Sequence, residues 1–364
     1  MTLRIMEKNV IATESEIEVK DIYEKLTARK LAFIFGGIAG IIVLSILACS
    51  VGAAHISFAE VAKVIFAKLT GLNFAVRKVA DTVVWQVRFP RVLLAIVAGA
   101  GLAISGAGIQ GITRNPLASP FTMGISAGAA LGAAVAIVLG WSIVGMGKFF
   151  IAGNSFLFAL FSAFLVLGVS KLRGTTEETL ILAGIAIMYI ITAIVSFLQF
   201  IAGKEKLQGL IHWLFGSLAN ANWDKLFFVS IFVFLGSFFL FRYSWDLNAM
   251  ISGEEVAKGL GVNTERVKNV VLILCSFITA GVICFTGIIG FVCLMSPHIA
   301  RMYIGADHRF LLPSSCIVGA FLLLGADTLG RTLLSSSEIP VGIIVAFLGG
   351  PFFLYLLLTK QRGF

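Results

Sequence analysis

Apolar residues run in long blocks along this chain, and polar residues gather in the short intervals between them. A membrane-crossing helix needs about 20 consecutive apolar residues. Blocks near that length cover 31–50, 92–112, 120–140, 149–170, 179–202, 225–241, 310–330 and 340–359. A further charge-free run, 270–297, is too long for one ordinary helix and short for two. Within it the stretch "GVICFTGIIGFV" predicts a break, because Gly281, Gly287 and Gly290 all weaken helix continuity.

Two segments outside the blocks carry helical patterning of their own. In 56–71, apolar residues recur at helical spacing behind a Ser57/Glu60 capping box, which predicts an amphipathic surface helix near 57–70. In "ISGEEVAKGLGVNTERVKN", 251–269, Ser252 and Glu255 have the same capping-box spacing, and Gly259 and Gly261 supply helix-ending positions. A short capped helix is expected there, as part of a solvated loop or as a docking element for another protein.

Composition agrees with the pattern. Hydrophobic residues make up 59% of the 364 positions and charged residues 13%, with a mean hydropathy of +1.00. Soluble domains are only about half apolar and about a quarter charged. The chain is therefore an all-α, polytopic membrane protein. The first thirty residues mix charges of both signs and lack a short apolar core with a cleavage site, so no removable signal peptide is expected.

Charge decides the number of spans. With ten spans and a cytoplasmic N-terminus, 17 of the 28 Lys and Arg residues fall on the inner side and 11 outside, as the positive-inside bias requires. Reading 270–297 as a single span flips every later loop and gives 14 on each side. Ten spans also place both termini in the cytoplasm, and put Arg88 and Arg91 outside, against the bias. Long basic side chains that snorkel to the headgroups are the simplest account of those two. The net charge of +9 is scattered between apolar blocks, with no aromatic-basic patch for nucleic acid.

Catalytic and metal-binding signals are weak. The five cysteines sit in apolar runs without a C-x-x-C pair, and the four histidines are dispersed. No cofactor and no metal site are expected. "GAGIQG" at 106–111 has dinucleotide-fingerprint spacing, but it lies inside an apolar helix, not at the opening of one after a strand. Its glycines, and those at 124, 128 and 132, read as close-packing positions. Gln110, Gln199 and Asp327 are the notable polar residues within spans. Intramembrane polar groups are functional candidates, although an i,i+4 ion pair with Arg331 also accounts for Asp327. The chain reads as a path across the membrane and not as an enzyme.

Several long motifs in order resemble one family: "VRFPRVLLAIVAGAGLAISGAGIQGITRNPLASPFTMGISAGAALG", "GEEVAKGLGVNTERVK", "GIIGFVCLMSPHIARMYIGADHRFLLP", "GADTLGR" and "EIPVGIIVAFLGGPFFLYLL". Together they are similar to the FecCD-type permeases, membrane subunits of ABC importers for iron-siderophores, haem and cobalamin. The resemblance covers about 31–360 as one ten-helix permease domain of type II ABC importer form, and leaves 1–30 as a cytoplasmic extension.

It implies a homodimer, or a pair of close homologues, in the cell membrane. Two cytoplasmic ATPase subunits hydrolyse the ATP, and an extracytoplasmic binding protein delivers the chelate. It also implies residue roles. Arg88, Arg91 and Arg331 match outer arginines that receive binding-protein carboxylates. The ATPase coupling helix matches Ser252, Gly253, Glu254, Glu255, Val256, Ala257, Lys258, Gly259, Leu260 and Gly261. The cytoplasmic gate lies near Asn115, Pro116 and Leu117 and near Thr175 and Thr176, where Glu177 and Glu178 replace the small polar residues expected. An ion-gradient-driven secondary transporter is the alternative; it requires paired intramembrane carboxylates, and only Asp327 is available.

Overall fold

Helix boundaries in the computed structural model follow the apolar blocks, with connections set by caps and glycines. The structure describes residues 2–52, 56–72, 74–143, 145, 147, 149–173, 176–334 and 337–359; the side chains of 2–23, 25, 26, 357 and 359 are left out of the description. Helix α1 is Thr2–Ser50, α2 Phe58–Thr70 and α3 Lys78–Thr82. From α3 the chain continues through a π-helical turn, Val83–Arg88, into α4, Phe89–Thr113. Next come α5, Ile125–Ala134, prolonged by a second π turn at Val135–Leu139, then α6, Phe150–Arg173, and α7, Glu177–Ile201. They are followed by α8, Lys204–Leu214, α9, Trp223–Arg242, α10, Ser244–Ile251, and α11, Glu254–Gly259. The chain closes with α12, Thr264–Thr286, α13, Val292–Ile304, α14, His308–Thr332, and α15, Val341–Thr359.

Among the described residues, seven helices are long and apolar enough to cross a membrane, and 125–139 and 341–356 are shorter apolar helices. With α13, the 13-residue helix that follows the break in 270–297, these make ten segments at the places the apolar blocks predict. The 270–297 run does divide, at Gly287–Phe291. Gly287 adopts φ +70° with ψ −171°, backbone that a side chain resists. Gly281 does not contribute to the break: it lies inside α12 with the Phe232 side chain against it. Its lack of a side chain serves packing between α9 and α12. The first thirty residues are not set off from the first span either, because α1 runs through both as one 49-residue helix.

Helix α4 is the hub. It is apolar on every side and buried along nearly its whole length, as a helix with no polar face must be. It packs on α9, α12, α13 and α14. A Cβ on Gly99 would collide with the backbone of Gly319 in α14, and one on Gly106 with the Cys293 carbonyl of α13. The "GAGIQG" glycines thus act as close-packing positions. Gly128 and Gly132 likewise meet the α6 backbone.

Helix α2 has the capping box read from the sequence: Ser57 Oγ accepts from the Glu60 N–H, and the Glu60 carboxylate accepts from the Ser57 N–H at 3.2 Å. Outward-facing side chains on the spans are large and apolar, among them Phe161, Phe197, Phe200 and Phe234. Exposed apolar area of that extent is a surface for lipid.

Candidate functional site: the two ends of the helix bundle

Helices α4 and α14 run antiparallel, so each end of the bundle carries the start of one and the end of the other. Arg88, Arg91 and Arg331 gather at one end, and Arg114 and His308 mark the other.

At the first end the arginines are not loose rim charges. Arg88 and Arg91 are each 5% exposed. Arg91 grips Asp327 of α14 with Nε and Nη2 at 2.9–3.1 Å, and its Nη1 donates to Glu338 at 2.7 Å. Two parallel N–H donors matched to one carboxylate use the planar fork that Lys lacks. Arg331 Nε lies 3.3 Å from the Asp327 carboxylate, the i,i+4 pair expected, while its Nη2 donates to the Ala48 carbonyl at 3.1 Å. Arg88 donates to the carbonyls of Cys49 and Ser50 at 2.8 and 3.0 Å. The last turn of α1 contains no basic residue of its own, so cations from α4 and α14 satisfy its free carbonyls. Glu338 is the half-exposed member of this cluster.

The π turn at Val83–Arg88 delivers Arg88 into this packing, and nothing in the sequence pattern announced it. Trp85 lies beside Phe89 and Trp223, with ring centroids 5.5 and 4.9 Å away. The Trp223 indole N–H closes on the Trp85 carbonyl at 3.0 Å, which gives a carbonyl near the π turn a donor from α9.

At the other end, the Asn115–Leu117 turn follows Arg114, a non-glycine residue at φ 45°. Asn115 Oδ1 accepts the Leu117 N–H at 2.9 Å. Arg114 forms an ion pair with Glu177, so an acidic residue that departs from the expected pattern ties the turn to the start of α7. Thr176 caps α7 by accepting the Thr179 N–H at 3.2 Å; Thr175 lies outside the described residues.

Helix α11 occupies the expected coupling segment, but its start differs. Its N-cap is Gly253 at φ 114°, without a side-chain cap, so Ser252 and Glu255 do not form the capping box. Gly253 takes a backbone conformation closed to serine, and Ser252 remains in the turn that ends α10. Glu254 faces inward instead, to Lys268 Nζ at 2.7 Å and Thr264 at 2.9 Å. Partial burial raises the Glu254 carboxyl, but those two donors outweigh it and hold the group below its ordinary value. Glu255, Val256 and Leu260 face out, while Ala257 is buried. Leu260 and Gly261 close the helix, Gly261 at φ +86°. The neighbouring α10 is locked to α14: Asn248 donates to Asp307 at 2.7 Å and accepts the His308 N–H at 2.7 Å.

Between the ends, the Gly287–Phe291 break and the start of α15 border an apolar hollow of about 520 Å³ that includes Phe121, Phe215, Ile288 and Phe347. No group of three His, Cys, Asp or Glu side chains among the described residues could hold a metal ion. The buried carboxylate of Asp327 is engaged by two arginines, which leaves it unsuited to carry a coupling ion.

Comparison with known proteins agrees with this architecture. The chain is 41% identical to a cobalamin import system permease of Halobacterium salinarum over 291 residues, 80% of this chain and 77% of that one. It is 36% identical to a molybdate import system permease of Haemophilus influenzae over 332 residues, 91% and 96% of the two chains. A solved structure, described as a metal-chelate type ABC transporter in an inward-facing conformation, is 34% identical. It superimposes with a TM-score of 0.79 over 90% of this chain and 98% of that one. With the FecCD transport family model matching residues 40–359, this multi-pass membrane chain belongs to the FecCD transport family.

Proposed function

We propose that the chain is the permease subunit of a binding-protein-dependent ABC importer and forms, with a second and identical copy, the pathway for a metal chelate. Iron-siderophores stand first in that class, with haem and cobalamin as the other members. The observation that carries this reading is the near full-length match to a metal-chelate type transporter. In this reading the Arg88 end faces outward and both termini lie in the cytoplasm, the orientation favoured by the distribution of basic residues.

Each end then has a task. Outside, three arginines against two carboxylates leave a cationic patch whose half-exposed member is Glu338. Carboxylates of the binding protein approach there and exchange with Glu338 for Arg91, which steers encounter and fixes register more than it adds affinity. Inside, Val256, Leu260 and Glu255 of α11 meet two ATPase subunits, and the Glu254–Lys268 pair transmits their movement into α12. The Asn115–Leu117 turn and the Thr176 start of α7, which Arg114 ties together through Glu177, close the cytoplasmic mouth, and Thr175 is assigned to the same gate from the sequence alone. This chain hydrolyses nothing.

Reconstitution tests the reading. Proteoliposomes with the chain, its ATPase subunits and its binding protein are expected to accumulate the iron chelate only with ATP inside the ATPase compartment. Uptake by the chain alone, driven by a proton or sodium gradient, would overturn it.

A further inference from the structure

One polar cluster has no part in the transport reading. Arg301, near the end of α13, donates Nη2 to Gln110 Oε1 at 3.0 Å, and no ion pair to a carboxylate forms there among the described residues. Gln110 and His308 are 3% and 2% exposed, yet Gln110 Nε2 and His308 Nε2 have no hydrogen-bond partner. All three residues line one cavity of about 360 Å³ at the Arg114 end of the bundle, with Arg114, Pro116 and His298 on its wall and no acidic residue. Native interiors rarely leave two buried polar atoms unmet beside an unpaired cation. Asp307, the nearest acid in sequence, is held by Arg309 at 2.6–3.1 Å and by Asn248.

The hydrogen-bond network fixes what the cavity offers. Asn248 Nδ2 donates to the Asp307 carboxylate, so Asn248 Oδ1 is the acceptor. That oxygen takes the His308 backbone N–H and faces His308 Nδ1 at 3.1 Å. His308 Nδ1 is therefore the protonated nitrogen, and Nε2 presents a lone pair. A complementary ligand accepts from Arg301 and Gln110 and donates one O–H to His308. The geometry points to a site for a phosphate group that keeps one proton, as free hydrogen phosphate or as the phosphomonoester headgroup of a lipid. Sulfate has the same shape but no proton to give. Occupancy would brace the ends of α4, α13 and α14 beside the Asn115–Leu117 turn. The site rests on the permease reading only for the side of the membrane it opens to.

Equilibrium dialysis of the full-length chain in phosphatidylcholine nanodiscs against labelled inorganic phosphate tests this directly. Expected are saturation at one equivalent per chain, at least tenfold weaker displacement by sulfate, and at least tenfold lower affinity in Arg301→Met. Arg301→Lys should retain part of the binding, which separates loss of the charge from misfolding. His308→Phe should abolish the preference for phosphate over sulfate. In parallel, native mass spectrometry of nanodiscs containing phosphatidic acid reads the lipid source, and retention of that lipid that depends on Arg301 supports the site with the headgroup as its ligand. Absence of both phosphate binding and retained phosphatidic acid overturns the proposal, as does binding unchanged in Arg301→Met. Because binding is measured on the chain itself, failure leaves the importer reading, which is read as uptake, untouched.

Discussion

The two ends of the bundle use the same side chain in opposite ways. Around Arg91 each guanidinium meets an acceptor within the chain: two arginines share Asp327, Glu338 takes a further donor, and the end of α1 accepts from Arg88 and Arg331, although Arg331 Nε, 3.3 Å from Asp327, makes no hydrogen bond. Around Arg301 the guanidinium meets only an amide, and two buried nitrogens beside it are unmet. A satisfied buried cation fixes helices relative to one another. An unsatisfied one costs stability and persists where something outside the chain completes it.

Asp327→Ala should produce the largest difference between the ends. It leaves Arg91 and Arg331 buried without their shared carboxylate, and the expected loss is about 3–5 kcal/mol, read by chemical unfolding in detergent micelles. An unchanged transition would mean that the cluster holds nothing together. Glu254→Ala comes next. It withdraws the carboxylate from Lys268, which is 0% exposed, and should cost about 1–3 kcal/mol. Faster hydrogen exchange confined to α11 and the start of α12 would localise that loss.

Arg301→Met should leave stability unchanged or raise it by about 1 kcal/mol, because it removes a buried charge that meets no carboxylate and gives up only the hydrogen bond to Gln110. A loss as large as that of Asp327→Ala would erase the contrast between the ends. The smallest effect is that of acid on the α10–α14 contact. Partial burial raises the Asp307 carboxyl, but Arg309 and Asn248 prevail and hold it at about 2, below its ordinary 3.8. A depressed carboxyl stabilises the fold fully above its unfolded value and loses that contribution as pH falls through the folded one. Exchange protection of α10 should therefore be flat from neutral pH down to about 4 and decline only between there and about 2.

The helices were legible because the membrane sets their length and composition. The apolar blocks marked most of the spans, and counting basic residues divided 270–297 correctly. The break itself was placed less well, since a glycine inside a helix and a glycine that ends one look alike until the neighbour is seen. Phe232 against Gly281 and the positive φ of Gly287 make that distinction. The Ser252/Glu255 spacing failed for a related reason: Lys268, buried fourteen residues on, takes Glu254 inward and changes where the helix begins. Glu177 and Glu338 were legible as residues but not as partners of Arg114 and Arg91, because those pairings span 63 and 247 positions.

By itself, then, the sequence determined the solvent of this protein, its class, its spans and its family, all properties carried by local composition and by motif order. Only the tertiary structure decided which charges are satisfied. Each of those answers depends on a carboxylate, a carbonyl or a cavity wall supplied by a distant helix, and the antiparallel packing of α4 and α14 brings them together.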